Sequence, residues 1–216
     1  MDIARNYYTV KEIKQYIDTI STNIGKNNGG FLHLHISDNE NYGVESKVLG
    51  QTVGSANVSY NSAVSEEERV YTYDHNGAAA GGETKFLSTE QLKIIVGYAR
   101  EKGVEIVPEI DSQGHAKGIY NLLAEQGKSV ENIFVGGDTE IDITKPDAVS
   151  FMQSLYDEVI AVTKPVSQHF HIGGDEFYSN PDNGAFISYV NTMQAYLEEK
   201  GLITRIETFA KKPKLL

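Results

Sequence analysis

The chain is 216 residues long, 40% hydrophobic and 23% charged, the make-up of a globular domain with a substantial buried core rather than a disordered one. Its formal net charge of -11 excludes a broad basic face for phosphates, so no nucleic-acid partner is expected; the single basic run, Lys211-Lys212-Pro213-Lys214, stands at the extreme end. The absence of cysteine excludes disulfides and thiol catalysis while leaving the compartment open, and no apolar run approaches the roughly 20 residues of a membrane span, so no membrane partner is expected.

Residues 1–8 carry no charged-then-apolar leader, so no secretion signal is expected, and they supply only a few strand-like positions before a helix signal. Thr9 as N-cap with Glu12 three positions on forms a capping box, and Val10, Ile13, Tyr16, Ile17 and Ile20 share one helical face. Together they predict a helix over residues 9–24, closed off by the stretch from Gly25 to Gly30. Residues 30–37 read as a strand with both faces covered, followed by an acidic, polar loop from Asp38. Residues 47–86 are rich in Ser, Gly, Asn and Ala with little periodicity and read as a long insertion loop.

Ser88 caps a second helix over residues 88–102, with Gln91 three positions on and Gly103 as its stop. A strand over 104–110 follows, continued by the polar run Asp111-Ser112-Gln113-Gly114-His115. Helical character resumes over 119–126, an irregular stretch follows, and a helix over 147–163 leads to the strand holding His169 and His171. A last helix over 184–200 ends at Gly201, and residues 202–206 begin one more strand.

Such alternation points to parallel strands. Polar and acidic residues collect after each strand, which favours a barrel over a doubly wound sheet, because barrel sites are assembled from several strand ends. The expected fold is therefore α/β, of the (β/α)8 TIM-barrel type, present as a partial barrel of about strands 1–4 with the start of a fifth.

The residues that would meet at one mouth are Asp2, Arg5, Asp38, Glu40, Glu45, Glu109, Asp111, His115, His169, His171, Asp175 and Glu176. Two readings compete for the His-x-His pairs. His33/His35 and His169/His171 each project to one side of a strand and could grip an ion, as in metal-dependent amidohydrolase barrels. Alternatively they are core histidines satisfied by neighbours, since acids rather than histidines occupy the strand ends. The pair Asp175-Glu176 behind Gly173-Gly174 raises a second question. Two close carboxylates push one pKa upward, and a carboxyl kept protonated near neutral pH can give its proton to a glycosidic oxygen; the alternative is a solvated loop end.

The run His171-Ile172-Gly173-Gly174-Asp175-Glu176 resembles the H-x-G-G-D-E signature of family 20 glycoside hydrolases, the β-N-acetylhexosaminidases. Residues 31–38 and 106–115 resemble that family's strand-two and strand-three segments. Asn39-Glu40-Asn41-Tyr42 and Ser167-Gln168-His169-Phe170-His171 are similar to members that degrade the biofilm polysaccharide poly-N-acetylglucosamine. The resemblance runs over residues 2–205. It implies hydrolysis of terminal β-linked N-acetylhexosamine from glycans by a retaining mechanism without an enzyme nucleophile.

By that resemblance Glu176 is the general acid and then the base, and Asp175 orients the substrate's acetamido group. Asp38 and His115 support Glu176 through a hydrogen-bonded chain, Arg5 holds sugar hydroxyls, and Glu45 and His171 stand beside it as substrate-binding residues. No metal and no cofactor are expected, and the family suggests an extracellular or cell-surface location.

The pattern departs after residue 206, where the family continues with a tryptophan-containing segment; this chain has no tryptophan, although the family walls its pocket with them. Residues 1–206 are accordingly expected to form a partial catalytic barrel and 207–216 a divergent basic tail. Such an arc is expected to self-associate, and a non-catalytic fragment with weak or no sugar binding is the second reading.

Overall fold

The computed structural model describes residues 1–25, 28–59, 64–74, 83–135, 137, 139–174 and 183–207. Residues 1–3 run parallel to the next strand: the Ile3 amide donates to the His35 carbonyl at 3.0 Å and the His35 amide to the Met1 carbonyl at 2.9 Å. Helix α1 (Val10–Ile24) opens with the expected capping box, in which Thr9 Oγ1 accepts from the Glu12 amide at 3.3 Å and Glu12 accepts from the Thr9 amide at 2.8 Å. It leads to strand β1 (Phe31–His35).

The next stretch corrects the insertion-loop expectation. It holds β2 (Asn57–Ser59), β3 (Val70–Asp74) and β4 (Glu83–Phe86), an antiparallel sheet in the order β2-β3-β4 with Tyr71 opposite Phe86. Its strands are short, and only their mutual pairing makes them visible.

Helix α2 (Thr89–Lys102), strand β5 (Glu105–Glu109) and helix α3 (Lys117–Glu125) follow where the sequence places them. The irregular stretch contains a small hairpin, β6 (Phe134–Val135) with β7 (Glu140–Ile141). Helix α4 (Pro146–Thr163), strand β8 (His169–His171), helix α5 (Asn183–Glu199) and strand β9 (Ile203–Arg205) complete the described chain.

The main sheet is parallel in the order β1-β5-β8-β9, with residues 1–3 bridged to the far side of β1. Spatial order follows chain order without reversal, as in a barrel wall; a doubly wound sheet reverses at a switch point. Neighbours in register share a face. Leu32, Leu34, Ile36, Ile106, Ile110, Phe170 and Ile172 form the outer face, buried in the main core together with residues of α1, α2, α4 and α5. The inner face is polar toward the C-terminal ends of the strands, where His35, Glu109, His171 and Arg205 stand at one level, and carries Phe31 and Ile203 toward the other end.

This corrects the expectation that β1 is covered on both faces. Leu32 and Leu34 are buried, whereas Phe31 is 44% exposed and His33 and His35 are half-buried.

The antiparallel excursion is tied to α2 by two buried side chains, Ser88, whose Oγ donates to Glu66 Oε1 at 2.6 Å, and Gln91. Gln91 donates from Nε2 to the Glu66 and Arg69 carbonyls at 2.9 and 2.7 Å, and its Oε1 accepts from the Ser88 amide at 3.0 Å. Gln91→Ala strands these partners, so urea unfolding is expected to show a loss of about 2–4 kcal/mol, since each orphaned buried group costs about 1–3 kcal/mol. A variant as stable as the parent would mean that the excursion is held elsewhere.

Candidate active site

Beyond the C-terminal ends of the parallel strands lies a cavity of about 250 Å³. Asp2 and Arg5 reach it from the N-terminal segment bridged to β1, His35 and Asp38 from β1 and the loop after it, and Glu109, Asp111 and His115 from β5 and the turn after it. In-register pairing of parallel strands brings side chains far apart in sequence to one level.

At the base of the cavity Glu109 is buried beneath imidazoles from two other strands. His171 Nδ1 lies 2.8 Å from Oε1 and His35 Nδ1 2.6 Å from Oε2; His33 Nε2 is 3.0 Å from Oε2 but makes no well-aligned hydrogen bond. Burial alone would raise the Glu109 pKa, yet the close imidazoles of His171, His33 and His35 outweigh it and hold the group well below the usual carboxylate range.

His35 also reaches upward, with Nε2 3.0 Å from Asp38 Oδ2. Burial works against its charged form, but the bonds to Asp38 and Glu109 prevail and push it up to about 10. Asp38 is buried as well. Its Oδ2 lies 2.5 Å from an Arg5 guanidinium nitrogen, and its Oδ1 accepts from the Asn39 amide at 2.5 Å and sits 3.8 Å from His115 Nδ1. Burial opposes ionisation of Asp38, while His35, Glu40, Asn39 and Arg5 together hold it down to about 2. The hydrogen bond to Asp38, followed by burial, pushes Glu40 upward.

His115 has φ 52°, the only left-handed non-glycine among the described residues. Such a conformation is held by its surroundings rather than preferred. Asn39 Nδ2 lies 3.3 Å from its Nδ1.

The paired glycines after β8 have a double reason. Gly173 has φ 74° and Gly174 φ 124°, so the chain leaves the strand through conformations that L side chains avoid. A Cβ at Gly173 would also strike the Asp111 carboxylate, and one at Gly174 the Glu207 carbonyl.

Of the expected site residues, Arg5, Asp38 and His115 line the cavity together with Asp2, Glu109 and Asp111. His171 stands lower, on Glu109. Glu45 is elsewhere: its carboxylate accepts from the Val53 amide at 3.0 Å and the Thr89 amide at 2.9 Å, bracing the start of α2, and those bonds lower its pKa against the effect of burial. Asp175 and Glu176 lie outside the described residues, as do residues 208–216 of the expected basic tail. Glu207, the first residue of that tail, instead continues the β9 pairing by donating from its amide to the Gly173 carbonyl at 3.0 Å, and it lines the cavity.

His35, which the sequence offers only as part of a His-x-His pair read as ion ligand or core residue, is placed by strand register opposite the strand-end acid Glu109. His33, Glu109 and His171 are the one His and carboxylate group among the described residues whose ligand atoms fall within 4.8 Å, the set a divalent ion would use. Both Glu109 oxygens already face imidazoles, so this carboxylate is compensated from within the chain.

A family model for the glycosyl hydrolase family 20 catalytic domain matches residues 1–210. The beta-hexosaminidase of Vibrio furnissii is 24% identical over 208 residues, covering 93% of this chain and 31% of its own. Dispersin B superposes with a TM-score of 0.79 at 42% identity, over 95% of this chain and 56% of that one. The GH20 beta-N-acetylhexosaminidase from Streptomyces coelicolor A3(2) gives a TM-score of 0.67 at 25% identity, over 95% of this chain and 37% of that one. The chain thus spans about a third of the length of the curated relatives it matches.

Because Gly173 combines a positive φ with contact against Asp111, Gly173→Ala is expected to lower stability by about 2 kcal/mol or more: roughly 1–2 for the left-handed residue, with the steric clash in addition. Thermal unfolding of this variant at the parental temperature would show that the turn is not needed.

Proposed function

The chain belongs to glycosyl hydrolase family 20, whose catalytic-domain model it matches over residues 1–210, and from that premise we propose that it hydrolyses terminal β-linked N-acetylglucosamine or another N-acetylhexosamine from glycans. Poly-N-acetylglucosamine is the polymer we favour as substrate, on the strength of the likeness to dispersin B.

In the proposed reaction the substrate's acetamido oxygen attacks its own anomeric carbon as the glycosidic bond breaks. Glu176 gives its proton to the departing oxygen. Asp175, as the anion, accepts from the acetamide N–H and balances the positive oxazolinium that forms. Glu176, now a carboxylate, takes a proton from water as that water opens the oxazolinium, and the product keeps the starting configuration.

Asp38 and His115 extend the chain of groups behind Glu176 and set its basicity. Their 3.8 Å separation leaves the bond to tighten around bound sugar. Arg5 offers its donor fork to sugar hydroxyls, with Asp2 at 2.9 Å and Glu40 at 3.4 Å orienting it.

One observation carries this reading: Arg5, Asp38 and His115, from three separate strand ends, line one cavity, and the Gly173-Gly174 turn leads from the adjoining strand into Asp175-Glu176. At about 250 Å³ the cavity is smaller than the roughly 300–1,000 Å³ of drug-sized sites, which suits a single terminal sugar. A polymeric glycan substrate also suits action outside the cell or at its surface. We further infer self-association through the inner sheet face, where Phe31 is 44% and Ile203 58% exposed.

On a chromogenic N-acetylglucosaminide, Glu176→Gln is expected to lower turnover by about 10²- to 10⁴-fold, the range of general acid-base catalysis. Asp175→Asn should cost a similar factor through lost acetamide alignment. Parental rates in either variant would remove the mechanism. For assembly, light scattering is expected to report a mass above 23.9 kDa that falls on dilution; a concentration-independent monomer would contradict the inferred contact.

A further inference from the structure

His35 touches both the base of the cavity and its catalytic rim, yet the reaction above gives it no task. Its ring nitrogens face two different carboxylates, Glu109 at 2.6 Å below and Asp38 at 3.0 Å above. A neutral imidazole would present a lone pair to one of these anions; only the doubly protonated ring donates to both. The ring is rigid and its two N–H groups point apart, so it fixes the span between the carboxylates in a way that a lysine or glutamine cannot.

Acidic groups on the packed elements favour this state, against the cost of burial and the N-terminal ammonium of Met1, which bonds the His33 carbonyl at 2.7 Å. Asp2 contributes negative charge from the N-terminal segment bridged to β1, Glu109 from β5 and Asp38 from the loop beyond β1, with Glu40 next to Asp38. Of the neighbouring basic groups, Arg5 lies on the far side of Asp38, His33 and His171 contact Glu109, and His115 faces Asp38 Oδ1.

We propose that His35 is the positioning residue for Asp38: anchored on Glu109, it fixes the plane of the Asp38 carboxylate, so that Oδ2 meets Arg5 and Oδ1 is presented to His115. Sugar recognition by Arg5 and the support that His115 gives Glu176 are thereby set from a single imidazolium in the barrel wall. The inference rests on the hexosaminidase reading, in which Asp38 and His115 support the general acid.

The test compares the full chain with His35→Ala, Asp38→Asn and the double variant. In His35→Ala, kcat is expected to fall by about 10²-fold, the scale of a misplacement near 1 Å, with KM changed far less. Millimolar imidazole should restore most of the loss, and sodium chloride at equal ionic strength should not. The double variant should be no slower than Asp38→Asn and should not respond to imidazole, because the two residues act as one unit. A purely structural His35 would give additive losses and no rescue, which would overturn the proposal.

A second readout does not need turnover. With 13C-carboxyl-labelled aspartate, the Asp38 resonance, identified by its loss in Asp38→Asn, should stay ionised below the ordinary aspartate range, toward about pH 2. In His35→Ala it should titrate at higher pH and return when imidazole is added. An unmoved Asp38 titration would overturn the proposal as well. Absence of turnover in the parent would remove the hydrolase reading, and the carboxyl titration would then decide the role of His35 alone. If His35→Ala does not fold, His35→Gln keeps one donor toward Glu109 and supplies the same two measurements.

Discussion

A buried carboxylate compensated by imidazoles from two neighbouring strands is the interaction on which the rest of this structure depends. Glu109 sits at the C-terminal end of β5 with little access to water, a position no isolated anion tolerates. Its compensation comes from His35 on β1 and His171 on β8, both in register with it, with His33 alongside. The contact therefore does more than satisfy one charge. It penalises a slip between adjacent strands, because a shift by one residue would turn the histidines to the opposite face and leave the anion unpaired.

From that level the polar chain rises in one direction. Glu109 holds His35, His35 holds Asp38, and Asp38 meets Arg5 and faces His115. Glu109, His35, Asp38 and His115 are buried or half-buried, while Arg5 is exposed, so the bonds among the first four are stronger than their counterparts at the surface and a missing partner there would cost more. The layer below repeats the theme, with His169 Nδ1 2.9 Å from Glu105 Oε1. The outer face follows the opposite rule: its aliphatic side chains pack under the helices, and Tyr156 of α4 meets Phe170 of β8 with ring centroids 4.6 Å apart.

The exit from β8 shows how backbone constraint and site chemistry are joined. Positive φ at both Gly173 and Gly174 turns the chain at the strand end, and Asp111 fills the space that a side chain at Gly173 would need. Close approach of β5 and β8 thus requires glycine for two independent reasons, steric and conformational. His115, with its left-handed backbone, marks another place where local preference gives way to placement at the cavity.

Local signals by themselves determined much of this protein. The Thr9 and Ser88 capping boxes, the Gly103 stop and the alternation of elements settle the helices and the parallel sheet, because those interactions close within a few residues. The collection of acids after each strand likewise marks the mouth, since strand direction alone decides which end they occupy. What only the tertiary structure decided are matters of long-range pairing. The antiparallel excursion was unreadable because its short strands are defined by each other and by Gln91. Glu45 carries the same charge as Asp38, and only the fold turns one to the Val53 and Thr89 amides and the other to the cavity. His35 could be read as core or ligand until strand register set it opposite Glu109. An imidazole's role is written in what faces its two nitrogens, and for His35 one of those partners lies 74 residues away along the chain.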